Sequence, residues 1–205
     1  MTKTEEILRR NFDNALEVLA EKFKVGDLEK FSRPEILVYE GGTGYNFGEN
    51  IIQFNTSQVY SKIVLGEEAS HYLHLQLNPL HKTKVLNNFD VIAVTTLIEV
   101  VGRYGALVYL NERGESIMPF KKRGAFATES TQEFVSQVSH HYGYQFAHKL
   151  MELHGDTILP VLARMELDEG LKSLPRLAPI TFYERNIMPL VDRITGYKPN
   201  LKLAL

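Results

Sequence analysis

The chain has no cysteine, and that absence removes disulfide scaffolds, thiolate zinc sites and cysteine nucleophiles together. Charge imbalance is nearly absent too. A net charge of −2 at pH 7 offers no broad attraction to a polyanion, so no nucleic-acid partner is expected. The basic run Lys121-Lys122-Arg123 is too short for a nucleic-acid footprint and reads as a solvated loop. Uninterrupted apolar runs of membrane length are missing. The most apolar stretch, Val91 to Leu110, carries Glu99, Gly102, Arg103 and Gly105, which suits a buried element better than a membrane span. The opening Met1-Thr2-Lys3-Thr4-Glu5-Glu6 lacks the apolar core of a signal peptide. A cytoplasmic location without a membrane partner is the expectation.

What is present describes an ordinary globular chain. Its 205 residues, 44% hydrophobic and 23% charged, suffice for one cored domain over 1–205. Residues 4–24 place Ile7, Leu8, Phe12, Leu16, Leu19 and Phe23 at three- and four-residue spacing. That predicts an amphipathic helix with Thr4 as a cap and Val25-Gly26-Asp27 as its stop. Glu35-Ile36-Leu37-Val38-Tyr39 and Asn50-Ile51-Ile52-Gln53-Phe54-Asn55 read as strands. The glycine-rich Gly41-Gly42-Thr43-Gly44 between them lacks the Lys-Ser/Thr of a phosphate-binding loop, so it reads as a hairpin connection. A helix is predicted over about 57–77, capped by Thr56-Ser57 and closed by Asn78-Pro79.

Asn88 to Leu97 reads as helix, with Asn87 or Asn88 as cap, and Glu99 and Arg103 suit an i,i+4 ion pair. Residues 98–120 fit either a helix or a hairpin, because Ala106 to Leu110 and Ser116 to Phe120 flank a turn-like Asn111-Glu112-Arg113-Gly114-Glu115. A second long helix is predicted over about 129–154, capped by Thr128, Ser130 or Thr131 and stopped at Gly155. One of its stripes is apolar (Val135, Val138, Tyr142, Phe146, Leu150, Leu153) and the neighbouring one polar (Glu133, Gln137, His140, Tyr144, His148). Asp156 is the expected cap of a short helix from Thr157 to Met165, and a final helix is predicted over 180–194. The fold class expected is α+β, a small antiparallel or mixed sheet with several helices.

The chemistry concentrates in Glu67-Glu68-Ala69-Ser70-His71. On a helix Glu67 and His71 share one face, where Tyr60, Ile63, Val64 and Leu75 make the rest of the stripe apolar. An ionisable pair on an inward face needs partners. Read by spacing alone, the pair is better explained as a partly buried structural contact that holds the core together.

A strand followed by a helix with Glu-x-x-His resembles the strand-and-active-helix unit of zincin metallopeptidases, whose helix reads His-Glu-x-x-His. Glu133-Phe134-Val135-Ser136-Gln137 resembles the Glu-x-x-x-Asp second signature of the gluzincins, and Tyr142 to Ala147 resembles the run that follows it. The resemblance covers roughly 35–155 and implies a minimal single-domain gluzincin, with 1–26 as an added N-terminal helix and 156–205 as C-terminal helices. It implies Glu68 at the general-base position, and Glu67, His71 and Glu133 as metal ligands. Gln137, His140 and Tyr144 then line the pocket.

Two departures follow from the same positions. Glu67 stands where the first histidine ligand belongs, and Gln137 where the acidic residue behind a histidine belongs. A Glu-His-Glu set partly neutralises the ion and weakens it as a Lewis acid, and oxygen-rich sets lean from zinc towards manganese or ferrous iron. Zinc, manganese, iron or no metal at all therefore remain open, and the resemblance implies a peptidase homologue without peptidase activity, with a peptide or protein as partner. His140 lies about 10 Å along its helix from Glu133, and His74 about the same from Glu67, so neither restores a two-histidine site. Glu99 is a free candidate if its segment is helical. The alternatives are an active metal-dependent hydrolase with Glu68 as general base and a structural or interaction protein with no site. A ferritin-like variant of the last is disfavoured, since Glu68-x-x-His71 has no second Glu-x-x-His.

Overall fold

The computed structural model describes residues 3–79, 82, 88–117 and 131–165, with side chains described for all of these except 88–93, 131–135, 137–138 and 142. In chain order the elements are α1 (Lys3–Lys22), β1 (Glu35–Tyr39), β2 (Gly44–Asn46), β3 (Ile51–Asn55), α2 (Lys62–Leu77), α3 (Asn88–Glu112), α4 (Thr131–His154) and the short α5 (Leu159–Leu162). The fold is α+β, a three-stranded mixed sheet with helices packed beside it.

Helix α1 buries Leu8, Phe12, Ala15, Leu16 and Leu19, the stripe its spacing predicts. Each of the leucine and phenylalanine side chains, removed from water, contributes about 1.5–3 kcal/mol. The helix ends where Lys24 adopts φ 54° and the Val25 N–H returns to the Ala20 carbonyl at 2.8 Å. That closure needs a left-handed residue. A lysine supplies it here, with Gly26 left outside. Asp27 instead caps a single 3-10 turn, accepting from the Glu29 N–H at 3.0 Å.

The sheet corrects the expected hairpin between β1 and β3. These strands run parallel, Ile36 beside Ile52 and Val38 beside Phe54, and the glycine-rich connection contributes β2, antiparallel to β3 on its other edge. The strand order is β1-β3-β2. The tight turn lies between β2 and β3, where Asn46 Oδ1 accepts from the Gly48 and Glu49 N–H groups and Asn50 takes φ 55°. Alternation does the rest: Ile36, Ile52 and Phe54 are buried, and their neighbours on each strand are not.

Helix α2 starts later than predicted. Thr56 to Tyr60 form a turn, Ser61 is the N-cap residue, and Tyr60 is 66% exposed, so it does not belong to the inward stripe. Asn78 closes the helix as expected, its N–H bonding the His74 carbonyl. Every residue from Leu65 to Leu75 is buried. The expectation of one inward face is thus replaced by a helix enclosed on all sides, and its polar residues are enclosed with it. Tyr72 meets Phe12 of α1 and Tyr45 of β2 edge-on and donates to the Ser32 carbonyl at 2.9 Å.

Residues 98–112 are helical, which settles the open choice for that part; 118–130, with the candidate caps Thr128 and Ser130, and the helix predicted over 180–194 lie outside the described residues. The contacts set the helix directions. Gly66 faces Ala106 and Tyr109, Ser70 faces Gly105, and His71 faces Gly102, so α2 and α3 are antiparallel. Gly155 ends α4 at φ 59° as predicted. Asp156 is not the cap of the next helix; Ile158 is. Asp156 accepts from Lys22 instead, and that lysine also meets Glu112, which ties the C-terminal ends of α1 and α3 to the turn after α4. Among the described residues no helix is long and apolar enough to cross a membrane.

Candidate metal centre

Glycine makes the centre geometrically possible. A Cβ on Gly102 would lie 2.5 Å from Nε2 of His71, and one on Gly143 would lie 2.6 Å from Cβ of Glu99. Bare backbone at these two points lets α2, α3 and α4 close on one another until the His71 ring rests on α3 and Glu99 sits against α4.

There Glu67, His71 and Glu99 each offer one ligand atom, all within 4.8 Å of one another, and all three residues are buried. His71 Nε2 lies 4.0 Å from Glu99 Oε2, and His140 Nε2 approaches the same oxygen to 3.3 Å. That last contact is close but not aligned as a hydrogen bond, and Glu99 Oε2 has no hydrogen-bond partner among the described residues; neither have Glu68 Oε2 and His71 Nδ1. Glu67 is better held. Tyr144 donates to its Oε1, and Arg103 lies 3.3 Å from its Oε2 while stacking 4.5 Å over the Tyr144 ring. Arg103 therefore pairs across to α2, where the sequence suggested Glu99 on its own helix.

Comparisons with protein families, curated proteins and solved structures find no match. The chemistry must be read from the site itself.

Three carboxyls and one guanidinium occupy this layer. Burial pushes the Glu67 carboxyl up, against the opposing pull of Arg103 and Tyr144. Glu68 is pushed well above the usual carboxylate range by burial and then by Glu67 and Glu99; Glu99 follows suit through burial and Glu67. Burial, helped by His140, lowers His71 to about 3 and keeps its imidazole neutral. Neutral imidazole and unsatisfied carboxylate oxygen are what a divalent cation needs, and its charge reverses the penalty on the carboxylates.

The predicted residues divide accordingly. Glu67, Glu68, His71, His140 and Tyr144 come together, whereas the side chains of Glu133 and Gln137 lie outside the described ones. Glu99 occupies the third corner. Its signal in the sequence was a lone carboxylate within the most apolar stretch of the chain, a placement that is costly without a partner. His74 was set aside on spacing, yet it is fully buried, and neither ring nitrogen has a hydrogen-bond partner among the described residues.

Proposed function

We propose that this chain binds one divalent transition-metal ion through Glu67, His71 and Glu99, and that it is a zincin-like metallopeptidase homologue without peptidase activity. The observation that carries the reading is the convergence of three buried ligand atoms from two helices within 4.8 Å, with Glu99 Oε2 left unbonded. In this reading Glu99 takes the corner that the family pattern would give to Glu133. Two oxygens and one nitrogen suit zinc, manganese or ferrous iron.

Loss of peptidase activity follows from charge and access. Two anionic ligands partly neutralise the ion and weaken it as a Lewis acid. Glu67, Glu68, His71 and Glu99 are each at most 8% exposed, which suits an ion or a small ligand and not an extended polypeptide. A second reading, hydrolysis of a small molecule with Glu68 as general base, is favoured by the unpartnered Glu68 Oε2 beside the site.

The test is a metal count. Untagged protein incubated with zinc or manganese and desalted should retain about one ion per chain, and the Glu99→Gln variant should retain none. A fluorogenic peptide library should remain uncut. Parent protein that retains no ion overturns the assignment, and metal-dependent cleavage of a small ester without peptide cleavage favours the second reading.

A further inference from the structure

We infer that His140 is a fourth ligand of this centre and closes it as a two-carboxylate, two-imidazole site. The inference rests on the proposed Glu67-His71-Glu99 set and extends it to a residue on a third helix.

Hydrogen bonding fixes the orientation of the His140 ring. Its Nδ1 lies 2.7 Å from the Ser136 main-chain carbonyl, with the Ser136 hydroxyl at 3.4 Å. A carbonyl oxygen only accepts, so Nδ1 carries the hydrogen. In the neutral ring Nε2 is then the bare nitrogen, and it lies 3.3 Å from Glu99 Oε2. Anchoring one nitrogen to a backbone carbonyl while the other faces an ion is how proteins hold a ligating histidine in its tautomer. His71 has no such anchor on Nδ1 among the described residues, so His140 is the better prepared of the two.

Distance makes the second argument. His140 Nε2 and Glu99 Oε2 are 3.3 Å apart without hydrogen-bond alignment. Two ligands of one tetrahedral zinc, with bonds of about 2.0–2.1 Å, stand about 3.3–3.4 Å apart. The pair already spans one edge of such a tetrahedron, while His140 is not among the residues whose ligand atoms all lie within 4.8 Å of one another, so binding must draw it towards Glu67 and His71. The His71 to Glu99 edge, at 4.0 Å, contracts by about 0.6 Å when an ion of this size is bound.

On a tetrahedral zinc, four protein ligands leave no open coordination position, and closed zinc sites of this kind hold structure and do not turn over substrate. The His140 side chain is 44% exposed and those of His71 and Glu99 about 10%, so His140 forms the solvent side of the site. The ion enters past it.

The deciding experiment is nitrogen NMR on the full-length, untagged protein labelled with 15N at histidine, titrated with zinc. Long-range proton–nitrogen correlations report each imidazole nitrogen, and the spectrum of His140→Gln assigns the His140 signals. We expect one equivalent of zinc to move Nε2 of both His71 and His140 to metal-bound positions. In His140→Gln, His71 should move alone and zinc should bind about 10- to 100-fold more weakly. If His71 moves in the parent while His140 does not, the fourth ligand is refuted and the three-residue site stands. If neither moves, the site itself is wrong.

Discussion

Replacing Gly102 with alanine tests the geometry on which every statement about His71 depends. The added methyl carbon would lie 2.5 Å from Nε2 and 2.6 Å from Nδ1 of the His71 ring, where ordinary contact begins at 3.4 Å. The nearest ring atom, Cε1 at 2.2 Å, must therefore retreat by 1.2 Å, or α2 and α3 must separate by a similar amount. Neither is easy, because α2 is buried from Leu65 to Leu75. Overpacking of this kind costs about 1–3 kcal/mol, and the intrinsic preference of a helix for alanine over glycine returns at most about 1 kcal/mol. A net loss of about 0–2 kcal/mol is expected in urea denaturation of the metal-free protein. The effect on metal should be larger in proportion, since ligand distances tolerate only about 0.2 Å. Competition with a chelating dye should show zinc affinity down by at least about 10- to 100-fold, the size of a misoriented-ligand effect. Gly42→Ala is the control, because a Cβ there meets nothing within 4 Å. Parent-like stability together with parent-like zinc affinity in Gly102→Ala would mean that His71 does not rest on α3, and the site would have to be abandoned.

Other perturbations reach other parts of the argument. His74 is buried neutral, its pKa lowered to about 3 by burial and by His71. Below its ordinary 6.5 the unfolded chain takes up a proton that the folded one refuses, so stability falls as pH drops from 6.5 towards 3, by about 1.4 kcal/mol per unit for this one group. His74→Met should remove that slope from a series of urea titrations in acid; an unchanged slope would show His74 to be solvated. Lys22, raised to about 12 by its bonds to Glu112 and Asp156, stabilises fully below pH 10.5 and loses that contribution as pH rises through 12. Lys22→Met should cost about 1 kcal/mol at low ionic strength and much less in about 1 M salt, and a loss independent of salt would point to packing of its stem. Glu67→His puts the two-histidine zincin spacing on α2, which with His140 makes three imidazoles and one carboxylate, and should raise zinc affinity despite leaving Arg103 without its carboxylate partner. Weaker binding would mean that Glu67 serves Arg103 and Tyr144 and not the ion.

Much of the secondary structure was legible because it is local. The spacing of Leu8, Phe12, Leu16 and Leu19 predicts α1, the left-handed Gly155 ends α4, and alternating burial at Ile52 and Phe54 marks β3. The start of α2 was misplaced at Thr56-Ser57 because a possible cap is not a used one, and the chain spends Thr56 to Tyr60 on a turn. The stretch from 98 to 112 stayed open between helix and hairpin because a mostly apolar run fits either period.

By itself, the sequence determined the class of the protein and the inventory of its chemistry. Cysteine chemistry was excluded, an α+β chain was called for, and Glu67, Glu68 and His71 were placed on adjacent positions of one helix, since helical spacing is a property of the backbone. Which residues meet was decided only by the tertiary structure. The parallel pairing of β1 with β3 depends on a register that no local pattern encodes. Glu99 joins His71 because Gly102 and Gly143 allow three helices to approach at one level, and His140 joins them because α4 lies across that level. Such contacts arise from the packing of surfaces distant in the chain, and a linear motif holds no record of them.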